Sequence, residues 1–455
     1  MKRALVATVT AAVRAAHAER DFTGLCIALS GGVDSVALLA ALGAARKTDR
    51  TLARLPLRAV HVHHHLQAAA DDWARHCRML CRSFSVPLTV RHVSVSRVRG
   101  TSLEAEARRV RRAAFEQVLR RGEVLLTAHH EDDQLETVLL QLMRGAGVAG
   151  LAAMPACAPF GRGWSLRPLL GSSRAELVDF ALQAKLDWVE DDSNVDERFD
   201  RNYVRRRIVP LLRARWPAAA RVAARSTAHL AEAREFLGEL AAIDLSSLVE
   251  GEALALDKLA KLGLARQRNA LRAWIAACGA SLPDATHLER VRRELPAARA
   301  DALPVVQWPG GRVRRFRGLL HCDVPQAPPR NLPASMVWDW RRQRTLELGE
   351  GRGRLRIVAD PHGPILRAHL PARLQVRFRN GGERIEVERG AGRQSVKELL
   401  RARGVLPWRR DDVPMLCAAH TPLALGDWVV AASLRAGAER RGRVRIEWTG
   451  AGRIC

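Results

Sequence analysis

Residues 30–35 read Ser-Gly-Gly-Val-Asp-Ser, follow an apolar run over residues 25–29, and precede an apolar, helix-like segment over residues 36–42. Strand, glycine turn and helix N-terminus together make a cradle for phosphate. Gly31 and Gly32 let the backbone approach closely, successive N–H groups through Val33 point at the anion, and the helix dipole favours negative charge there. Ser30 and Ser35 add hydroxyl donors. Asp34 is an acid beside phosphate, a placement that makes sense only with a cation between them, most simply Mg²⁺. A Gly-Gly pair alone would be an ordinary turn with an Asp-Ser cap. All six residues at a strand end argue for nucleotide binding.

A second chemical cluster runs from Thr127 through His129, His130, Glu131, Asp132 and Asp133 to Glu136. Asp133 and Glu136 are three apart, so on a helix they share one face. Two carboxylates there could hold a metal or bind a cationic substrate. Asp132 is explained by the dipole at a helix start, and one of the two histidines by an ordinary strand end. His61, His63, His64 and His65 form a histidine run. Strand alternation puts His61 and His63 on one face, but no acidic or cysteine partner is near them in the chain, so the run is not assigned to a metal.

The hydrophobic pattern supplies the elements that must hold these residues. Strands are expected over 57–62, 88–95 and 124–128, and helices over 72–83, 104–119 and 132–143. Thr101-x-x-Glu104 reads as a capping box, with a stripe at Leu103, Ala107, Val110, Ala114 and Val118. Such alternation predicts right-handed βαβ units, a parallel sheet, and a crevice at the carboxyl ends of its strands. A helical stretch is expected over 218–298, a short β-like piece over 305–320 and a proline-rich linker over 325–333. Short strands at 374–378, 429–433 and 444–448, with one helix at 396–403, complete the chain. The expected architecture is an α/β domain over 1–217, a helical domain over 218–330 and a small α+β domain over 335–455.

A chain of 455 residues has room for several cores, and 47% hydrophobic content excludes a disordered protein. The net charge of +26 points to a polyanionic partner, nucleic acid before anionic membrane. Eight cysteines contain no Cys-x-x-Cys pair, so neither a zinc knuckle nor an iron–sulfur site is indicated, and the pattern suits a reducing cytoplasm. The N-terminal apolar stretch is interrupted by Arg14 and reads as the first helix of the nucleotide domain rather than a signal peptide. No segment is long and apolar enough to span a bilayer. Gly145-x-Gly147-x-x-Gly150 matches a dinucleotide fingerprint, but it follows a helix rather than a strand, which argues against that reading.

The loop at residues 30–35 resembles the PP-loop of the ATP pyrophosphatase superfamily; no Walker A pattern occurs in the chain. Further stretches sharpen the resemblance: Val60 to Leu66, Leu103 to Arg111, Glu190 to Asn194, Arg201 to Arg207, and Trp216-Pro217. In this order they are similar to the tRNA(Ile)-lysidine synthetase family over residues 20–217, and more loosely beyond, into Arg379 to Arg384 and Leu406 to Arg410. The family usually has an aromatic where Arg112 stands, and a glycine and a basic residue where His65 and Gln67 stand.

The resemblance implies a PP-loop (adenine nucleotide α-hydrolase-like) N-terminal domain and a ligase forming a C–N bond. ATP would activate C2 of the wobble cytidine in a CAU-anticodon tRNA(Ile), and free L-lysine would displace AMP. It implies ATP phosphates on residues 30–35, Mg²⁺ on Asp34 and Asp133, and lysine ammonium groups on Asp133 and Glu136. Arg108 or Arg111 would stabilise the reacting phosphorus or base oxygen; either could equally be an exposed helix arginine. Arg201, Asn202, Arg205 and Arg207 would contact ATP or the anticodon, and Arg384, Trp408 and Arg409 the tRNA. A PP-loop tRNA 2-thiolase, another ATP pyrophosphatase synthetase and a non-enzymatic RNA-binding module stay open. The oligomeric state is open too, a homodimer included.

Overall fold

The computed structural model describes residues 2–65, 69–95, 103–190, 196–299, 301–325, 335–349, 351–437 and 441–451. Thr101 of the expected capping box, Gln67, the acidic residues Asp191 and Asp192, and most of the expected linker lie outside them. The chain divides into two compact units, Met1–Ala241 and Ala242–Cys455.

In the first unit, helix α1 (Lys2–Arg20) buries Leu5, Val9, Val13 and Ala16, a stripe at helical spacing. Strand β1 (Gly24–Ala28) is buried along its whole length. Helix α2 (Val33–Thr48) is buried on almost every side, with Val36, Leu38, Leu39 and Leu42 fully enclosed. A short α3 (Arg50–Arg54) leads to β2 (Leu57–His63), α4 (Ala70–Ser83), β3 (Leu88–His92), α5 (Leu103–Val118), β4 (Glu123–Leu126) and α6 (Glu131–Met143). On α5 the buried positions among the described side chains are Glu106, Ala114 and Phe115, with Leu119 just beyond the helix, and Val110 is only half-buried.

With β5 over Cys157–Phe160 and β6 over Gly163–Leu166, the sheet order is β3-β2-β1-β4-β6-β5. Strand β1 pairs in parallel with β2 on one side and β4 on the other, Leu25 opposite both Leu57 and Val124. The chain runs outward from β1 through β2 to β3 and then crosses to β4 on the other side of β1, and at this change of direction a crevice opens beyond the carboxyl ends of β1 and β4. The expected strands and helices of this region are present, with ends shifted by a few residues. The hairpin of β5 (Cys157–Phe160) and β6 (Gly163–Leu166) was not expected from the pattern. Gly163 lets β6 lie against β4, since a Cβ there would fall 2.0 Å from Glu123 O. Helices α7 (Val148–Leu151), α8 (Arg174–Gln183), α9 (Asp200–Tyr203), α10 (Val209–Arg215) and α11 (Ala219–Leu248) follow. Gly147 caps the short α7, so the dinucleotide-like glycines form a turn after α6.

The second unit corrects one expectation. The stretch 218–298 is not helical throughout: a hairpin of Val249–Glu250 with Ala253–Ala255 breaks it. Ala253, Leu254 and Ala255 are all buried, which is a strand of a central sheet rather than a helical stripe. That sheet is completed by Val305–Trp308, Gly311–Phe316 and Leu319–Asp323, and Leu271, Trp274, Ile275 and Val291 pack within its core. Residues 335 onward form a five-stranded and a four-stranded sheet around Trp338, Leu355, Ile365 and Val376. The helix Val396–Ala402 lies where expected. Only Val429–Val430 of the expected strand is extended, and a 3-10 turn at Ala432–Leu434 follows it.

Candidate active site

The chain leaves β1 through Ser30, Gly31 and Gly32, and α2 begins at Val33. Gly31 has φ of +94°, and a Cβ there would meet Val189 Cγ2 at 2.9 Å, so a side chain is excluded by both backbone and space. Ser35 Oγ closes the loop. It accepts from the N–H groups of Ser30 and Gly31, each at 3.2 Å, and donates to Gly32 O at 2.9 Å. Ser30 Oγ accepts from Gly32 N–H at 3.4 Å. These are the donors a phosphate would use, held at the positive end of α2.

His130 caps α6, and its N–H donates to Asp133 Oδ2 at 3.1 Å. Its Nε2 lies 3.4 Å from Asp133 Oδ2 and 3.8 Å from Asp34 Oδ2. The imidazole, 2% exposed, therefore stands between two carboxylates from the ends of different strands. Asp34 Oδ1 is buried and has no hydrogen-bond partner among the described residues. An anionic oxygen without a donor is costly in protein and suits a hard cation. Asp34 thus fits Mg²⁺, which takes one or two carboxylates and fills its other positions with water and substrate phosphate.

Asp133 and Glu136 share a face, and in this arrangement that face meets guanidinium groups. Arg201 donates to Asp133 Oδ1 at 2.7 Å and to Glu136 Oε2 at 2.8 Å. Arg205 donates to Glu136 at 2.6 and 2.9 Å and to Asp133 at 3.3 Å. Glu136 is 2% exposed and Asp133 11%, so two charges of each sign cancel in a nearly dry cluster. Burial alone would raise the Asp133 acid, but His130, Arg201 and His129 outweigh it and hold the carboxyl below its usual range. Arg201 lies on α9 and Arg205 on a π-turn, Val204–Ile208. Their neighbours turn elsewhere: Asn202 donates to Asp196 O at 3.0 Å and Arg207 to Glu197 at 3.0 Å.

A cavity of about 520 Å³ opens beside the loop, within the range that holds a small ligand. Ser30, Gly32, Asp34, Arg111 and Arg205 line it, as do His61 and His64 from the end of β2. Arg111 also stacks over Phe115 at 5.5 Å, and Arg108 lies three residues before it on α5. Trp73, Phe115, Arg174 and Trp188 also line it and were not anticipated. Of these only Arg174 had a local signal. Ser173 and Glu176 form a capping box that starts α8, and Arg174 N–H reaches Asp132 Oδ2 at 2.8 Å.

The histidine run also differs from its sequence reading, because acidic and thiol groups reach it through the fold. Asp71 Oδ1 lies 3.1 Å from His63 Nε2, and Cys77 Sγ lies 3.6 Å from His61 Nδ1. Cys77 and Cys81 are buried, and burial pushes their thiols up to about 12 and about 11. Such thiols are poor nucleophiles at neutral pH.

Burial first, and then Arg111, push His64 down to about 4. His129 is pushed down to about 3, chiefly by burial, with Arg167, Arg111 and Arg201 adding and Asp133 opposing. Both rings are neutral in the fold at pH values where the unfolded chain, near 6.5, takes up protons. Stability should therefore be fully present above pH 6.5 and decline as pH falls toward 4. Thermal unfolding scanned across that range should show this fall, and His64→Asn should make it shallower; an equal slope would remove His64 as a source.

In the second unit, Arg384 donates to Arg393 O at 2.8 and 3.1 Å and is exposed. Arg409 lies 3.5 Å from Asp412. Trp408 is not free: Arg314 lies over its ring at 4.8 Å, and His321 and Phe316 meet it edge-on.

A parallel sheet with an anion-binding loop after β1 and an acid cluster after β4 defines an ATP-using PP-loop domain. The family model described as PP-loop domain matches residues 5–212. Those described as TilS substrate binding domain and TilS substrate C-terminal domain match residues 254–321 and 374–448. Proteins named tRNA(Ile)-lysidine synthase are similar over most of the chain. The one from Pseudomonas aeruginosa is 43% identical, covering 90% of each chain. The one from Methylococcus capsulatus is 39% identical over 93% of this chain and 95% of the relative. The one from Coxiella burnetii is 37% identical over 92% of each. The chain belongs to the tRNA(Ile)-lysidine synthase family.

Proposed function

We propose that the chain joins L-lysine to C2 of the wobble cytidine of CAU-anticodon tRNA(Ile), consuming ATP and releasing AMP and pyrophosphate. The observation that carries this reading is the Ser30–Ser35 loop facing the His130-bridged acids in a chain of this family. The cytidine C2 oxygen attacks the α-phosphorus and pyrophosphate leaves; the lysine ε-amine then attacks C2 and AMP leaves. Residues 30–35 hold the phosphates, with Ser35 Oγ yielding its two backbone donors to them. Asp34, and in part Asp133, would hold Mg²⁺, which would neutralise the charge that develops on phosphate. Arg111, with Arg108 on the same helix, steadies the reacting phosphate or the base oxygen.

The paired charges suggest how lysine enters. ATP phosphates draw Arg201 and Arg205 off Asp133 and Glu136, and the vacated carboxylates then receive lysine's ammonium groups. The target base must leave its stack at a cost of a few kcal/mol, which phosphate contacts offset. A division into catalytic (1–217), helical (218–330) and C-terminal (335–455) parts, with the last two serving tRNA, accounts for the +26 charge. The proposed setting is the cytoplasm, where tRNA is modified; among the described residues no helix is long and apolar enough to cross a membrane.

ATP–pyrophosphate exchange and incorporation of labelled lysine into bulk tRNA test the reading directly. Both should depend on tRNA with a CAU anticodon, and exchange without lysine incorporation would overturn it. Arg384→Ala and Arg409→Ala should each weaken tRNA binding and reduce the slope of log affinity against log salt by roughly 0.7 to 0.9. Filter binding at several salt concentrations checks this, and an unchanged slope removes that arginine from the phosphate contacts.

A further inference from the structure

We propose that His63, His65 and His92 form a site for one divalent transition-metal ion, Zn²⁺ by its chemistry, at the carboxyl ends of β2 and β3. One donor nitrogen from each ring lies within 4.8 Å of the other two. His63 and His92 are register partners on the neighbouring parallel strands, so the sheet itself sets them side by side. His65 comes back over them because its φ is +54°, in the left-handed region. The ring centroids are 4.1 Å apart for His63 and His65 and 4.9 Å for His63 and His92.

Two features go beyond ring stacking. His65 Nε2 and His92 Nδ1 stand 3.0 Å apart. Ligands at about 2.0 Å from a tetrahedral Zn²⁺ are separated by roughly 3.3 Å, so a small adjustment accommodates the ion. The second feature is His63. Its side chain is 2% exposed, its Nε2 faces Asp71 Oδ1 at 3.1 Å, and its Nδ1 is buried with no partner among the described residues. A carboxylate on one ring nitrogen while the other is left for a metal is the outer-shell pattern of zinc-bound histidine. Asp71 also supplies negative charge in a strongly basic chain.

Three imidazoles and no thiolate favour Zn²⁺, Cu²⁺ or Ni²⁺ over Mg²⁺ or Ca²⁺, which prefer oxygen. His65 and His92 are exposed, so the fourth position faces water. None of His63, His65 and His92 lines the cavity beside Asp34 and the phosphate loop. An ion bound by them would clamp the end of β2, from which His64 lines the cavity, to β3.

The test uses the full chain, stripped with chelator and desalted, then titrated with Co²⁺ and Zn²⁺. Co²⁺ should give the visible absorption of a four-coordinate site at one equivalent, displaced by Zn²⁺. His65→Gly keeps the left-handed backbone comfortable, and His92→Gln is an exposed change, so neither should disturb folding; circular dichroism verifies this. Each should weaken binding by more than the roughly tenfold expected of the outer-shell change Asp71→Asn. The exposed His362→Gln in the other unit should leave binding unchanged. Equal Co²⁺ spectra and stoichiometry in the His65→Gly/His92→Gln double variant, or no spectrum in the parent chain, would overturn the proposal.

Discussion

Asp34→Asn should lower turnover at least about a hundredfold, on the scale of losing one fixed charge partner of the transition state, while the fold survives. The amide matches the carboxylate in volume, and the side chain is one-third exposed, so no cavity or stranded group is created. What disappears is the anionic Oδ1, buried without a donor and positioned to hold Mg²⁺ against phosphate. The neighbouring His130 would then keep Asp133 at its Nε2 and Asp132 at its Nδ1 as its only carboxylate neighbours among the described residues. AMP release in a single turnover, measured beside thermal unfolding, separates the two effects. A near-normal rate in the folded variant would remove the metal role from Asp34.

Glu136→Gln should show two effects at once. Glu136 receives three of the five hydrogen bonds that Arg201 and Arg205 make to the acid pair. Neutralising it leaves two guanidinium groups on Asp133 alone. Breaking a fully buried pair costs several kcal/mol; with Arg205 35% exposed, a loss of about 2 kcal/mol is expected, a fall in Tm of about 5 °C. The KM for lysine should rise while that for ATP does not, because only lysine brings ammonium groups to this face and Glu136 competes with ATP for Arg201 and Arg205. A rise confined to ATP would instead assign the carboxylates to holding the arginines for nucleotide. Arg205→Lys tells these apart further, since a lysine keeps charge but loses the forked geometry.

What could be read from the sequence follows from how local each signal is. The phosphate loop is a contiguous break between an apolar strand and an apolar helix, so its chemistry is written in six adjacent residues. Asp133 and Glu136 share a helical face by spacing alone. Their guanidinium partners lie some 65 residues away, and nothing in either segment names the other. The same limit hides the aromatic wall, since Trp73, Phe115 and Trp188 come from three separate elements. His92 joins the β2 histidines only through strand pairing. The β5–β6 hairpin was invisible for another reason: its strands are four residues long, and one contains Pro159. A helical reading of 218–298 failed where Ala253, Leu254 and Ala255 are a run too short for either periodicity.

The hydroxyl of Ser35 has a kinetic consequence. Because it already ties down the N–H groups of Ser30 and Gly31, the loop is folded before any nucleotide arrives. Nucleotide capture is then an exchange of one hydrogen-bond acceptor for another, with little chain to order. Association should run close to the rate set by diffusion and charge steering, and mutations in the loop should express themselves mainly as faster escape of the nucleotide.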